Sequence, residues 1–156
     1  MCGIIGIAGK ENCIPEIIKG LQSLEYRGYD SSGIACNKNN DIISKKSEGK
    51  ISKLISKLNK DKFQSNTSIA HTRWATHGKP SLNNAHPFVK NNCSLVHNGI
   101  IENYEYLLKK YSINEKNILS ETDSEIIAEI YNSLLNKFNN PIEALIDIMK
   151  KIEGTF

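Results

Sequence analysis

A cysteine directly behind the initiator methionine is the residue of this chain best placed to do chemistry. Cys2 opens the run Cys2-Gly3-Ile4-Ile5-Gly6-Ile7-Ala8. Removal of Met1 would leave a thiol and a free α-amino group on one residue, and an α-amine titrates near pH ~8 where a lysine titrates near ~10. One residue then supplies both nucleophile and base, the arrangement in which a chain's own amine activates its first hydroxyl or thiol. With Met1 in place the amine is acylated and the pairing is off. The plain alternative is a small apolar residue in a buried strand, since free cysteine is among the most buried residue types. Taken alone, the opening run favours that alternative.

Three further segments carry more polarity than a core requires. The first is Leu24-Glu25-Tyr26-Arg27-Gly28-Tyr29-Asp30-Ser31-Ser32-Gly33, which crowds an arginine, an aspartate and two tyrosines into a helix-to-strand turn. The second is His71-Thr72-Arg73-Trp74-Ala75-Thr76-His77-Gly78, followed by Asn84-Ala85-His86-Pro87, and the third is His97-Asn98-Gly99-Ile100-Ile101-Glu102-Asn103. Polar loops at strand ends are where a rigid scaffold usually carries its binding groups. Each also has a plainer reading. Asn98-Gly99 is the strongest short-range hairpin signal. Arg73 suits a surface ion pair and Trp74 a core anchor. Asp123 suits a first helical turn favoured by the macrodipole.

In order and spacing, the CGI opening, LEYRGYDSSGIA, AHTRWATHGKPS, NAHP, VHNGIIEN and SETDSEII resemble the N-terminal glutaminase domain of the glucosamine-6-phosphate synthase family, the glutamine to fructose-6-phosphate aminotransferases. The motifs run from residue 2 to 127. Related class II glutamine amidotransferases, such as the purine-pathway phosphoribosyl enzyme, share the leading Cys-Gly-Ile and an Asn-Gly pair, whereas the YRGYDS and HTRWATHG forms resemble the sugar-phosphate enzyme. The short interval from Cys2 to Tyr26 resembles the bacterial form.

The resemblance implies that Cys2 attacks the side-chain amide of L-glutamine, with Asn98, through its side chain, and the backbone N–H of Gly99 as oxyanion donors. It makes Arg73 and Asp123 the captors of the α-carboxylate and α-ammonium, to which a guanidinium fork and a carboxylate are suited. Thr76 and His77 would touch the same ligand, Arg27 would order the loop around the nucleophile, and Trp74 would stand between the glutamine pocket and an ammonia passage. His71, His86 and His97 read as structural hydrogen bonders. No cofactor and no metal are implied. The expected partners are glutamine and, through a sugar-phosphate isomerase domain absent from residues 2–156, fructose 6-phosphate, in a homo-oligomeric full-length enzyme. Two alternatives stand beside this: another class II amidotransferase, or a glutamine-binding fragment left inactive by a retained Met1.

The elements that must position these residues follow from periodicity. Residues 2 to 8 form an apolar strand. Pro15 with Ile17, Ile18, Leu21 and Leu24 marks a helix ending near Gly28. Ser31 to Cys36 and Ile42 onward read as paired strands about a turn. Ile51, Leu54, Ile55 and Leu58 mark an amphipathic helix whose lysines face solvent. Strands are expected at Ser68 to His71, Cys93 to His97 and Ile118-Leu119, and a helix around Leu107-Leu108. A capping box at Thr122 to Glu125 opens a helix carrying Ile126, Ile127, Ile130 and Leu134, and Pro141 starts a last one. Strand pairs close in sequence with interspersed helices give an α+β class. Only the resemblance supplies the topology, an N-terminal-nucleophile hydrolase four-layer αββα sandwich. It also implies a domain incomplete at its C-terminal end with an unpaired sheet edge.

The 156 residues suit one domain. Twenty Lys and Arg against 17 Asp and Glu, scattered along the chain, give no nucleic-acid footprint. No apolar run suits a membrane span and no leader pattern is expected. The four cysteines lack CxxC spacing, so free thiols in a reducing cytoplasm are the simplest reading.

Overall fold

Along β1 (Gly3–Ala8), Ile5 and Ile7 alternate with Ile4 and Gly6, and the period of two turns the odd positions onto an apolar layer. The computed structural model describes residues 2–9, 11–39, 41–75, 78–91 and 93–156. β1 pairs antiparallel with β4 (Thr67–Arg73), β4 with β2 (Ser31–Lys38), and β2 with β3 (Asp41–Glu48), giving the sheet order β1-β4-β2-β3. Two helices cover one face. α1 (Ile14–Leu24) starts with Pro15 in its first turn, where no backbone donor is lost, and presents Ile14, Ile17 and Leu21. α2 (Ile51–Lys60) presents Ile51, Leu54 and Leu58 at helical spacing. Together with Ile34 and Ala70 of the sheet these side chains form the first core. The first amide of α2, that of Ile51, donates to the Glu25 carboxylate at 2.9 Å, so a residue just past α1 caps α2 across the layer.

The opposite face meets two small ladders. β5 (Phe88–Lys90) pairs with β6 (Cys93–Leu95), and β7 (Ile100–Ile101) with β8 (Gly154–Thr155). Behind them α4 (Asp123–Phe138) packs with α3 (Tyr104–Lys110) and α5 (Pro141–Met149), joining Ile126, Ile130 and Leu134 to Leu107, Ala144 and Ile148 in a second core. Between the sheets the His71 and His86 rings stack at 4.2 Å, and the His86 ring meets Phe88 edge-on at 4.7 Å. Gly33 allows that approach, because a Cβ there would overlap the His86 carbonyl. The layers therefore run helix, sheet, sheet, helix. Among the described residues, no helix is long and apolar enough to cross a membrane.

Several sequence expectations fail for nonlocal reasons. Ile118-Leu119 is no strand: a 3-10 turn (Glu115–Asn117) precedes it, and the Leu119 and Ser120 amides donate to the Glu125 carboxylate at 2.9 and 2.6 Å. For the same reason no capping box forms. Thr122 is the N-cap of α4 without a side-chain cap bond, while Glu125 turns to those amides and to Lys90 Nζ at 2.8 Å. The plainer alternative for Asn98-Gly99, a hairpin turn, is set aside as well, since β6 pairs with β5 and β7 with β8. The strand from Cys93 stops at Leu95, short of His97, and β5 and β8 lie in stretches without strand periodicity.

Candidate functional site

The first described residue, Cys2, precedes β1, and the register Gly3↔Thr72 sets it beside the end of β4. There the Trp74 amide donates to Cys2 Sγ at 3.3 Å, and Sγ lies 3.6 Å from the Trp74 carbonyl oxygen. Arg27, on the 3-10 turn Glu25–Arg27, donates from Nε to the Cys2 carbonyl at 3.2 Å. Gly28 lets this turn close on β4, because a Cβ would press into the Arg73 carbonyl carbon at 2.7 Å. Asp30 fixes the loop after β4 from two sides: its amide donates to the Arg73 carbonyl at 3.1 Å and its carboxylate accepts from the Ala75 amide at 2.7 Å. Trp74 is 42% exposed, edge-on to Tyr29 at 5.5 Å, which places it on the rim and not in a core.

Asn98 and Gly99 lie between β6 and β7, across from Cys2. Asn98 Oδ1 sits 2.8 Å from His71 Nε2, which turns the amide nitrogen away from His71. Among the described residues, no group accepts from Asn98 Nδ2 or from the Gly99 N–H. Gly99 must be glycine, since a Cβ would overlap the Thr155 carbonyl. The same carbonyl accepts from His97 Nε2 at 2.9 Å, and the Thr155 hydroxyl accepts from the Ile100 amide at 3.0 Å. A carbonyl only accepts, so the His97 proton is on Nε2, and Nδ1 is left to accept from Ser124 Oγ at 2.9 Å.

Arg73, buried at the end of β4, donates to the carbonyls of Lys79 and Gly78 at 3.5 and 3.4 Å. Burial lowers its pKa, against the opposing charges of Cys2, Asp30 and Glu121. The loop beneath it is pinned by Asn84, whose Nδ2 donates to Lys79 O and to Glu121 Oε2 at 2.9 Å and whose Oδ1 accepts from the Glu121 amide at 2.9 Å. Gly78 turns this loop with a φ of 70°. Asp123, the first residue of α4, accepts from the Ile101 amide at 2.6 Å, which ties the helix start to β7. Cys2, Arg27, Arg73, Trp74, Asn98, Gly99 and Asp123 all line one cleft of about 360 Å³. Asp123 also borders an adjoining cavity of about 440 Å³ against Tyr104 and Ile118. Thr76 and His77 lie outside the described residues.

The cleft thus holds a thiol, two N–H groups without acceptors among the described residues, a guanidinium and a carboxylate. Such a set can add a nucleophile to an amide carbonyl, hold the resulting oxyanion and bind both ends of a zwitterion. Sequence reasoning missed Asn84 and Glu121, which lie inside the NAHP and SETD motifs, and Ser124 and Thr155, whose contacts reach across the chain. It also missed that two of the three histidines engage Asn98 and its flank.

Comparison with known proteins agrees with this architecture. The chain belongs to the class II glutamine amidotransferases, whose family model matches residues 27–154. It is 41% identical over its whole length to a glutamine–fructose-6-phosphate aminotransferase (isomerizing) of Bradyrhizobium diazoefficiens, 42% to that of Chlamydia muridarum and 44% to that of Caldanaerobacter subterraneus. The chain spans 26% of the length of each of these curated relatives. Among solved structures it resembles the glutamine phosphoribosylpyrophosphate amidotransferase of Bacillus subtilis, with a TM-score of 0.74 over 99% of this chain and 33% of that one at 23% identity. A second structure, of the allosteric regulatory enzyme of purine biosynthesis, matches with a TM-score of 0.75 over 99% of this chain and 34% of that one at 24% identity. The fold is the N-terminal-nucleophile αββα sandwich.

Proposed function

We propose that residues 2–156 act as a glutaminase domain in which Cys2, exposed as the N-terminus by loss of Met1, hydrolyses the side-chain amide of L-glutamine. The α-amine takes the thiol proton, the sulfur adds to the amide carbonyl, and the oxyanion is met by Asn98 Nδ2 and the Gly99 N–H. The α-ammonium returns that proton to the amide nitrogen, collapse expels ammonia and leaves a γ-glutamyl thioester, and water cleaves the thioester to glutamate and the free thiol. Arg73 and Asp123 hold the α-carboxylate and α-ammonium, Thr76 and His77 touch the same ligand, Arg27 fixes the Cys2 backbone, and Trp74 stands at the rim.

The observation carrying this reading is the pair of N–H donors, Asn98 Nδ2 and Gly99, left without acceptors among the described residues in the cleft that holds the Cys2 thiol. The relatives' names, which pair glutamine with fructose 6-phosphate, support an extension of it: in a longer protein the released ammonia would convert fructose 6-phosphate to glucosamine 6-phosphate, and we place that enzyme in the cytoplasm as a homo-oligomer. The test measures glutamate release from full-length protein with a processed N-terminus, beside a Cys2→Ala variant and protein whose Met1 is retained, the N-terminus of each verified by mass. Turnover in the processed protein alone is expected. Equal turnover with Met1 retained would rule out the amine as base, and turnover in Cys2→Ala would rule out the nucleophile.

A further inference from the structure

We infer that His71 is a positioning residue for the oxyanion hole: its Nε2–H donates to Asn98 Oδ1 and thereby holds the Asn98 amide with Nδ2–H turned away from His71, free to serve the cleft that Asn98 and Cys2 both line. This rests on the glutaminase reading of the cleft. The geometry supplies the argument. An asparagine side chain can present either its oxygen or its nitrogen, and a free amide at a cleft surface would sample both. The 2.8 Å contact to His71 chooses between them only if His71 itself is fixed in one tautomer.

Burial and two contacts hold the ring, and its unpaired nitrogen sets the tautomer. His71 is 1% exposed, so its ring cannot turn out to water. Its face lies on His86 at 4.2 Å with the planes 14° apart. His86 is held in turn, since its Nδ1 accepts from the His97 amide at 3.3 Å, one residue before Asn98. Among the described residues no group pairs with His71 Nδ1. A proton on Nδ1 would therefore be a buried orphan donor, the rarest kind of unsatisfied group, and Nε2 would face the Asn98 oxygen without a proton. With the proton on Nε2 the Asn98 contact becomes a hydrogen bond, and Nδ1 is left as an unpaired acceptor, the less costly of the two states. Burial, against the opposing pull of Asn98 and the His97 backbone, brings the His71 pKa down to about 4, so the imidazole stays neutral through the working range.

The experiment uses full-length protein with Met1 removed. His71→Leu removes the donor at similar bulk, and His71→Gln returns an N–H near the Nε2 position. His71→Leu is expected to lower kcat for glutamine about tenfold to a hundredfold, short of the ~10²–10³ lost when an oxyanion donor is deleted. Glutamine affinity on a Cys2→Ala background and the rate of Cys2 alkylation by iodoacetamide, which develops no oxyanion, should stay within about twofold, and His71→Gln should recover most of kcat. In an Asn98→Ala background His71→Leu should add little, because the group it positions is gone. Nitrogen-15 shifts of the wild type, which need no variant, should report the Nε2–H tautomer at neutral pH. An Nδ1–H tautomer, additive losses in the Asn98→Ala background, or alkylation falling in step with kcat would overturn the role of His71. Absence of glutamine turnover in the wild type would overturn the glutaminase reading and this role with it.

Discussion

Asn98→Ala separates the chemical and structural duties of one side chain, and the structure sets a size for each. The proposed oxyanion site has two donors, Asn98 Nδ2 and the Gly99 N–H, and removal of one such donor costs about 10²–10³ in kcat, or about 3 to 4 kcal/mol of transition-state stabilisation. The charge it meets arises only after the thiol adds, so glutamine affinity should barely change. The same substitution leaves the His71 Nε2–H without its 2.8 Å acceptor. An orphaned buried donor costs about 1–3 kcal/mol, and the low end applies because Asn98 is exposed and water can enter the vacated space. A loss of about 1 kcal/mol corresponds to a Tm lower by roughly 2–4 °C for a domain of this size. Steady-state glutamate release, calorimetric glutamine titration on a Cys2→Ala background, and thermal melts read the three quantities. Lost affinity comparable to the lost kcat would place Asn98 in substrate binding and refute the assignment of the oxyanion site.

Arg73→Lys should raise KM about tenfold or more with a smaller effect on kcat, because a point charge replaces a two-pronged fork; a pure kcat loss with unchanged KM would move Arg73 out of the carboxylate site. Asp123→Asn should likewise act on glutamine affinity, by about tenfold to a hundredfold in the same titration, while its oxygen still accepts from the Ile101 amide; unchanged affinity would remove the ammonium role. Gly33→Ala should cost about 1–3 kcal/mol in urea unfolding and lower kcat, since the new Cβ must push His86 away from its stack with His71; a neutral result would show that the inter-sheet gap yields freely. Mild acid should destabilise the fold. His71, held at about 4 chiefly by burial, with the charges of Arg73 and His97 adding to it, binds its proton in the unfolded chain near the ordinary 6.5 but not in the folded one, so stability is full above about pH 6.5 and falls as the pH drops toward 4. His71 alone accounts for about 2 kcal/mol between pH 7 and 5, and His86, lowered chiefly by burial, adds in the same direction. A urea midpoint that did not move over that interval would contradict the buried neutral pair.

Motif residues were legible in the sequence, and their reasons for being there were not. Cys2, Arg27, Arg73, Trp74, Asn98, Gly99 and Asp123 stand out by type and order, and one cleft gathers them. Elements set by local periodicity, such as the Pro15 helix with Ile17 and Leu21, were equally readable. What failed depends on partners far along the chain. Asn98-Gly99 has hairpin chemistry, but β7 takes Gly154–Thr155 as its partner and the turn never closes. Thr122 and Glu125 have capping-box spacing, yet Lys90 and the amides of Leu119 and Ser120 compete for the carboxylate and win. The histidines looked alike in sequence, and only burial and stacking separate His71, which reaches Asn98, from His97, which reaches Thr155.

One strand shows how fold and site constrain each other. Along β4, Ala70 turns into the apolar layer under α1 and α2, while His71 and Arg73, one and three residues on, face the second sheet and the cleft. A slip of one residue against β1 or β2 would reverse every side chain of β4. It would drive the Arg73 guanidinium and the His71 imidazole among Leu21, Leu54 and Leu58, where neither finds a partner, and an unpaired buried charge costs several kcal/mol. The register that sets Gly3 against Thr72 and Gly33 against His71 is therefore held by the polar residues of the site as firmly as by the isoleucines of the core. Cys2 inherits its place from that register, since it is one residue before Gly3 and Trp74 is two residues after Thr72. The thiol meets the Trp74 amide because the charged face of β4 admits no other alignment.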